Sequence, residues 1–375
     1  MPMDQQVLGA HRSDPVRHRP VGRSPIITLL AGVTFLGLVT TGVQAKPDLT
    51  TLTRQDIKVR ASQITSFGPS ENGRRYGGLI FRGGLQLRSS SSAFGGFSGL
   101  RLTPDGRSFI AVSDAGFWMR GDIGYDGRKP ARISNAEVGP LRALSGAVLT
   151  GNSEIDAEGI EILGADIRKS PALISFERIH RIGQFKLTKD GISKPSRYLK
   201  LPPAARILKS NRGLETLAQF KSGPHKGKLI YFAEGRRDAR GKLRGWLRAK
   251  NGRTSQIFLN PVRGFDITDA AALPSGDLVV LERRFRFSEG VKMRIRLIRA
   301  AAIKPGAVLD GTILFEADQK YQIDNMEGIS AHKSKLGRTV LTVISDDNFK
   351  FFQRTLLLQF VISEDVIGGK QPAGK

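Results

Sequence analysis

From residue 46 onward the chain alternates short apolar runs with turn-forming residues. Leu229-Ile230-Tyr231-Phe232-Ala233, Leu278-Val279-Val280-Leu281 and Val340 to Ile344 are runs of strand length, punctuated by Gly, Pro, Asp or Asn. Lys292-Met293-Arg294-Ile295-Arg296-Leu297 alternates charged and apolar side chains, the period of a half-exposed strand. Pro104-Asp105-Gly106 and Pro274-Ser275-Gly276-Asp277 read as turns, because Pro presets φ and Gly accepts positive φ. Helical periodicity is weak throughout, so the pattern predicts an all-β protein.

The strands recur as a unit. Five segments share one outline: a small or acidic residue, an apolar strand, a turn, and a second apolar strand ending in an acid. They open on Ser98-Gly99-Leu100, Asp156-Ala157-Glu158-Gly159-Ile160, Asn211-Arg212-Gly213-Leu214-Glu215, Asp266-Ile267-Thr268-Asp269 and Asp324-Asn325-Met326-Glu327-Gly328-Ile329. Their second strands close on Asp114, Glu177, Glu234, Glu282 and Asp346. The anchors Ser98, Glu158, Glu215, Asp269 and Glu327 are 60, 57, 54 and 58 residues apart, and three repeats keep 19 residues between their two acids. A period near 57 residues fits a four-stranded antiparallel blade with its loops. Blades set radially bury their faces on one another, so the expected fold is a β-propeller. Leu52 to Phe97 and the late strand Leu356 to Val361 are expected to share a sixth blade that closes the ring, with five or seven blades as the other counts the repeat allows.

Residues 1–45 read differently. A polar segment carrying Arg12, Arg17, Arg19 and Arg23 leads into an uncharged apolar run from Ile26 to about Val43, closing on Val43-Gln44-Ala45. These are the parts of a signal peptide cleaved after Ala45, which predicts a periplasmic or secreted protein. An uncleaved N-terminal membrane anchor is the other reading of a run of that length. Residues 46–375 then form a single propeller domain, expected to be a monomer.

Composition narrows the chemistry. The 375 residues include no Cys, which removes disulfides, thiolate metal sites and cysteine nucleophiles. Beyond the signal only His180, His225 and His332 remain, too scattered for a multi-histidine metal site or a His-centred hydrolase. Gly96-Phe97-Ser98-Gly99-Leu100 has Leu where a nucleophile elbow has its last Gly, so a serine mechanism lacks support. No organic cofactor is indicated.

The repeated acids are the candidate site. Equivalent positions in a propeller lie at equal radius around one axis, so acids near that axis would form a ring. Grouped carboxylates repel unless a cation or protons neutralise them. Oxygen ligands without His or Cys point to Ca²⁺, with Mg²⁺ as the alternative. The expected metal ligands are Glu158, Glu215, Asp324, Glu327, Asp346 and Asp347, with Glu327, Asp346 and Glu158 as the catalytic candidates. A structural role at blade turns is the alternative for each acid. Arg178, Arg181, Arg212 and Arg283 lie beside these acids in sequence and would bind an anionic substrate, since Arg grips phosphate bidentately. Carboxylates, a divalent cation and Arg together suit phosphoester hydrolysis.

The net charge of +25 is uneven. Residues 236–253 hold eight Lys and Arg against Asp238 alone, around Trp246. This run is either a solvated loop or an attachment point for an anionic membrane or envelope surface. Nucleic acid is not expected, because no nucleic-acid-binding motif is present.

Asp156-Ala157-Glu158-Gly159-Ile160, Phe176-Glu177-Arg178-Ile179-His180-Arg181-Ile182, Asn211-Arg212-Gly213-Leu214-Glu215, Asp324-Asn325-Met326-Glu327-Gly328-Ile329 and Ser345-Asp346-Asp347-Asn348-Phe349 with Gln353-Arg354 resemble the phytase-like family, exported bacterial proteins labelled "esterase-like activity of phytase". The resemblance spans about Gly95 to Phe360. It implies a propeller and an esterase or phosphoesterase, calcium-assisted. A non-catalytic propeller that binds an anionic envelope ligand is the competing expectation.

Overall fold

The computed structural model describes residues 46–70, 73–206 and 213–368, so the signal peptide read in residues 1–45 and Arg212 lie outside it. Among the described residues no helix is long and apolar enough to cross a membrane.

The strands form five sheets. The first blade runs outward from Phe97–Leu102 through Ser108–Ser113 and Phe117–Asp126 to Lys129–Pro140, with Gln55–Asp56 on its edge. The second comprises Ala157–Ile162, Pro171–Phe176 and Arg181–Thr188, edged by Gly191–Ile192 and Arg197–Tyr198. Ala218–Gln219, Leu229–Arg237, Leu243–Arg248 and Thr254–Leu259 make the third, with Val308–Leu309 added in parallel. Asp266–Ala272, Leu278–Arg286, Gly290–Ile298 and Thr312–Ala317 make the fourth. The fifth starts with Asn325–Lys333, Thr339–Asp346 and Thr355–Ile362, then takes Leu79–Arg88 and Arg60–Ile64 from the N-terminal side of the domain.

The protein is thus a five-bladed propeller. The sixth blade expected from the sequence does not exist, because Leu79–Arg88 pairs antiparallel with Thr355–Ile362 from Leu87↔Thr355 to Leu79↔Ile362. The N-terminal strands complete the last repeat instead of founding another. The shared closure was read correctly, and it leaves no open edge where the ring joins. The apolar cores lie where blades face each other. Phe109, Val112 and Ile174 belong to one cluster, and Val279, Ile295, Leu341 and Phe360 to another.

Each inner strand carries a one-residue bulge at the same place. The pairing slips by one between Phe97 and Gly99, between Ile267 and Asp269, and between Met326 and Gly328. It slips equally between Ala157 and Ile160 and between Leu214 and Ala218. A bulge inserts one unpaired residue and re-aims its side chain. In the first, second and fifth blades the residue after it is Gly, which lets the next inner strand come close. A Cβ on Gly99 would lie 2.7 Å from Glu158 O, and one on Gly159 would lie 2.8 Å from Glu215 O. That is why Ser98-Gly99 and Glu158-Gly159 recur as pairs.

The axis is closed below these bulges by one side chain. Arg101 Nε donates to Glu161 Oε2 at 2.8 Å, and Nη1 donates to Asp269 Oδ2 at 2.9 Å and to Ile329 O at 2.8 Å. Its remaining donors reach Leu100 O and Ala270 O, and also Leu217 O. A single buried guanidinium therefore bonds to the inner strands of all five blades. Its acidic neighbours hold its pKa above the ordinary value even though burial opposes this.

Candidate active site

The bulges decide which side chains face the axis. The bulged positions hold Ser98, Glu158, Glu215, Thr268 and Glu327. Across from them, where each second strand parts from its inner strand, stand Asp114, Glu177, Glu234, Arg283 and Asp346. All ten except Thr268 line one cavity of about 850 Å³, joined by Asp156 and Asn325 from the inner strands. The constant spacing in the sequence is the path from a bulge, around a turn, to the end of the next strand.

The fourth blade breaks the pattern and corrects two anchors. Thr268, not Asp269, occupies its bulge, and Thr268 Oγ1 donates to Met326 O at 3.2 Å. Asp269 instead serves Arg101 on the axis. Glu282 pairs with Ile267 one position too early and is buried against Arg296 Nη2 at 2.7 Å. Arg283 therefore takes the place that an acid holds in the other four blades.

The acids are crowded. Asp156, Glu158 and Glu177 offer oxygens that all lie within 4.8 Å of one another, and so do Glu177, Glu215 and Glu234. Burial pushes Glu158 and Glu215 well above the ordinary carboxylate range, and neighbouring acids push the same way. Burial likewise raises Asp346, helped by Asp114 and Glu327. Glu177 is raised by burial to about 7, despite the backbone N–H of Gly213 donating to it at 2.8 Å. Glu327 is also raised by burial to about 7, while Arg283 pulls it down. Removing this stress requires positive charge or protons.

Cations meet the ring from one side more than the other. Arg283 lies 3.2 Å from Glu327 Oε1 and 3.8 Å from Glu234 Oε1. Arg178, held at φ 54°, donates to Asp156. Lys46 approaches Asp114 at 3.5 Å, and Lys350 and Arg354 line the outer wall. Between the second and third blades the acids outnumber the cations, with Arg178 paired to Asp156 at that edge. The opposite wall carries Phe285, Val291, Tyr321, Ile323 and Phe352.

Of the residues singled out from sequence, Glu158, Glu215, Asp324, Glu327, Asp346, Arg178 and Arg283 all line this cavity. Asp324 anchors the Gln353–Arg354 backbone through the Arg354 N–H at 3.1 Å. Asp347 and Arg181 do not line it. Asp347 accepts from the N–H groups of Gly96 and Phe349 and from Thr355 Oγ1, pinning its loop. Arg181 stacks over the Phe176 ring at 4.0 Å and donates to the Glu154 carbonyl. Asp114, Asp156, Glu177 and Glu234 were not singled out as ligands. Three of the four stand where the second strand of a repeat parts from its inner strand, and only the symmetry of the bulges reveals that this point faces the axis.

The basic run at 236–253 spans a hairpin and both its ends. Its Asp238–Gly241 turn lies at the cavity end of the blade and its Ala249–Gly252 turn at the opposite end, as the pairings Arg237↔Leu243 and Leu229↔Arg248 require. Arg237 pairs with Asp266 and Arg240 with Asp238. Trp246 is buried and stacked on Tyr231 with centroids 5.5 Å apart, so it belongs to the core.

Fold and cavity together define a five-bladed propeller with an acid-lined axial cup. The chain belongs to the phytase-like family, whose model, described as "Esterase-like activity of phytase", matches residues 92–349. No curated protein sequence matches the chain. Among solved structures, an α-L-arabinofuranosidase from Podospora anserina in complex with cellotriose is similar at 11% identity, covering 80% of this chain and 96% of that one with TM-score 0.45. The catalytic domain of a GH62 α-L-arabinofuranosidase from Coprinopsis cinerea gives 14% identity, the same two coverages and TM-score 0.42. The Dos1 propeller gives 8% identity, 76% and 75% coverage and TM-score 0.33.

Proposed function

We propose that the cup is the active site of an exported hydrolase that cleaves phosphoester or related ester bonds in an anionic substrate with the help of a divalent cation. The observation that carries this reading is the convergence of five carboxylates, Asp156, Glu158, Glu177, Glu215 and Glu234, into two overlapping oxygen clusters in which burial raises Glu158, Glu177 and Glu215. Such a donor set suits Ca²⁺, or Mg²⁺ with retained waters, and not a softer metal. A cation held there would polarise the ester oxygen and offset anionic charge.

The remaining steps belong to the chain. Arg283, with Lys350 and Arg354 from the outer wall, holds the anionic group. Glu327, raised to about 7, takes a proton from the attacking water. Oxygen from that water bonds to phosphorus or the acyl carbon, and the bond to the departing alkoxide breaks. Asp346, raised by burial with Asp114 and Glu327 pushing the same way, is the acid that gives its proton to that alkoxide. Return of a proton from Glu327 to Asp346 through solvent restores the starting state.

The competing reading, a non-catalytic propeller that docks an anionic envelope surface through 236–253, is weaker because that run is divided between the two ends of its blade. The deciding experiment is turnover of phosphomonoesters, phosphodiesters and carboxylic esters by the mature protein, with Ca²⁺ and then with chelator. Chelator-sensitive turnover that Glu327→Gln abolishes supports the proposal. Absence of turnover on every class from folded, Ca²⁺-supplied protein overturns it.

A further inference from the structure

The cup is charged on one side and apolar on the other. Phe285 and Val291 flank the tip of the fourth-blade hairpin, and Phe352 sits on the fifth-blade loop; all three line the same cavity as the acids. Phe285 and Phe352 are 63% and 65% exposed, so neither is there to fill a core. Beyond Lys350, Gln353 and Arg354 the cavity adjoins a second hollow of about 250 Å³, which shares those three residues and adds Leu87, Phe94 and Phe351. Phe351 and Phe352 touch edge to face at 5.4 Å. Every exposed Phe among the described residues is on this hairpin or this loop. Contiguous exposed apolar surface of this kind marks a place where something apolar binds.

We infer that the substrate is amphiphilic: an anionic ester whose alkyl or aryl group lies against Phe285 and Phe352 while its charged group enters the acidic cup. This rests on the hydrolase reading and names its substrate class. Three features favour a single molecule bridging both parts. The apolar wall and the carboxylates line one continuous cavity. Lys350 and Arg354 stand at the junction, where the charged group of such a molecule would pass. The second hollow, lined mainly by polar residues with Leu87, Phe94 and Phe351 among them, gives further room beyond the junction.

The test measures binding and turnover separately. Methyl-, butyl- and octylphosphonate, all below their micellar concentrations, are titrated calorimetrically into Ca²⁺-loaded mature protein. Hydrolysis is followed in parallel on the corresponding alkyl phosphates. The expected result is affinity that rises with chain length, by up to about fourfold per buried methylene. The Phe285→Ala/Phe352→Ala double variant should flatten that slope and leave methylphosphonate binding unchanged. Because both side chains are largely exposed, this variant keeps its fold. Hydrolysis that ignores chain length, with equally flat phosphonate binding, overturns the inference and leaves the hydrolase reading standing. Chain-length-dependent binding without hydrolysis overturns the hydrolase reading alone. Flat phosphonate binding combined with adsorption to phosphatidylglycerol vesicles that Phe287→Ser and Phe351→Ser abolish also overturns the amphiphile inference, and assigns the rim to a membrane surface.

Discussion

Arg283 stands where four of the five blades carry an acid, and its Nε lies 3.2 Å from Glu327 Oε1. The guanidinium opposes the burial that raises Glu327 to about 7. Glu327 must be ionised to accept a proton, so activity should climb with pH to a midpoint at or below 7, lower when a bound cation adds its field. Arg283→Met removes the opposing charge, and the midpoint should move up by roughly one unit or more. Glu327→Gln should cost about 10²–10⁴-fold in kcat and erase the limb. The pH dependence of kcat for the three proteins checks both statements.

Glu177 belongs to both oxygen clusters, so it should matter most to cation binding. Ca²⁺ at about 100 times its Kd should stabilise the protein by about 2.7 kcal/mol, seen as a higher Tm that chelator reverses. Glu177→Gln should abolish the chelator-sensitive part of Tm. Asp347→Asn, outside the cavity, should retain it. Calorimetric melts with and without Ca²⁺ measure this.

Arg101 is expected to be the most costly single residue to lose. Arg101→Met leaves Asp269 and Glu161 buried without their main partner, a loss of roughly 3–5 kcal/mol. Urea unfolding should show the drop. Adding Asp269→Asn and Glu161→Gln to the same protein should recover part of it, because the stranded charges are then gone.

His332 should make the fold acid-sensitive. Burial lowers its pKa from the ordinary 6.5 to about 4, and Arg82 pushes the same way. Above 6.5 the ring is neutral in both folded and unfolded chains. As pH falls from 6.5 towards 4 only the unfolded chain takes up the proton, so stability declines by up to roughly 3 kcal/mol. His332→Gln should lose less stability than the parent between pH 7.5 and 4.5 in matched urea titrations.

Much of this architecture was legible in the residue order. The repeat length betrayed the blades, and the 19-residue separation of Glu158–Glu177, Glu215–Glu234 and Glu327–Asp346 already recorded the bulge-to-strand-end path. The blade count was not legible, because Leu79–Arg88 reads equally well as the start of a blade or as a strand added to another. The fourth blade misled for a physical reason. Asp269 and Glu282 are acids next to the right positions, but a bulge turns the chain there, and they face Arg101 and Arg296 instead of the cup. Arg181 sits beside Glu177 in the sequence, yet the turn carries it onto Phe176. The apolar wall could not be anticipated, since isolated Phe residues in turns carry no periodic signal.

The guanidinium of Arg101 on the axis has a consequence for how substrates are handled. A propeller bore that is open at both ends could admit a long polymer lengthwise. Here the bore is stoppered just beneath the ring, so the cup is a cul-de-sac. A molecule can dip into it or lie across its mouth, but nothing can pass through to the other face. Each product must therefore back out through the opening by which its precursor came in.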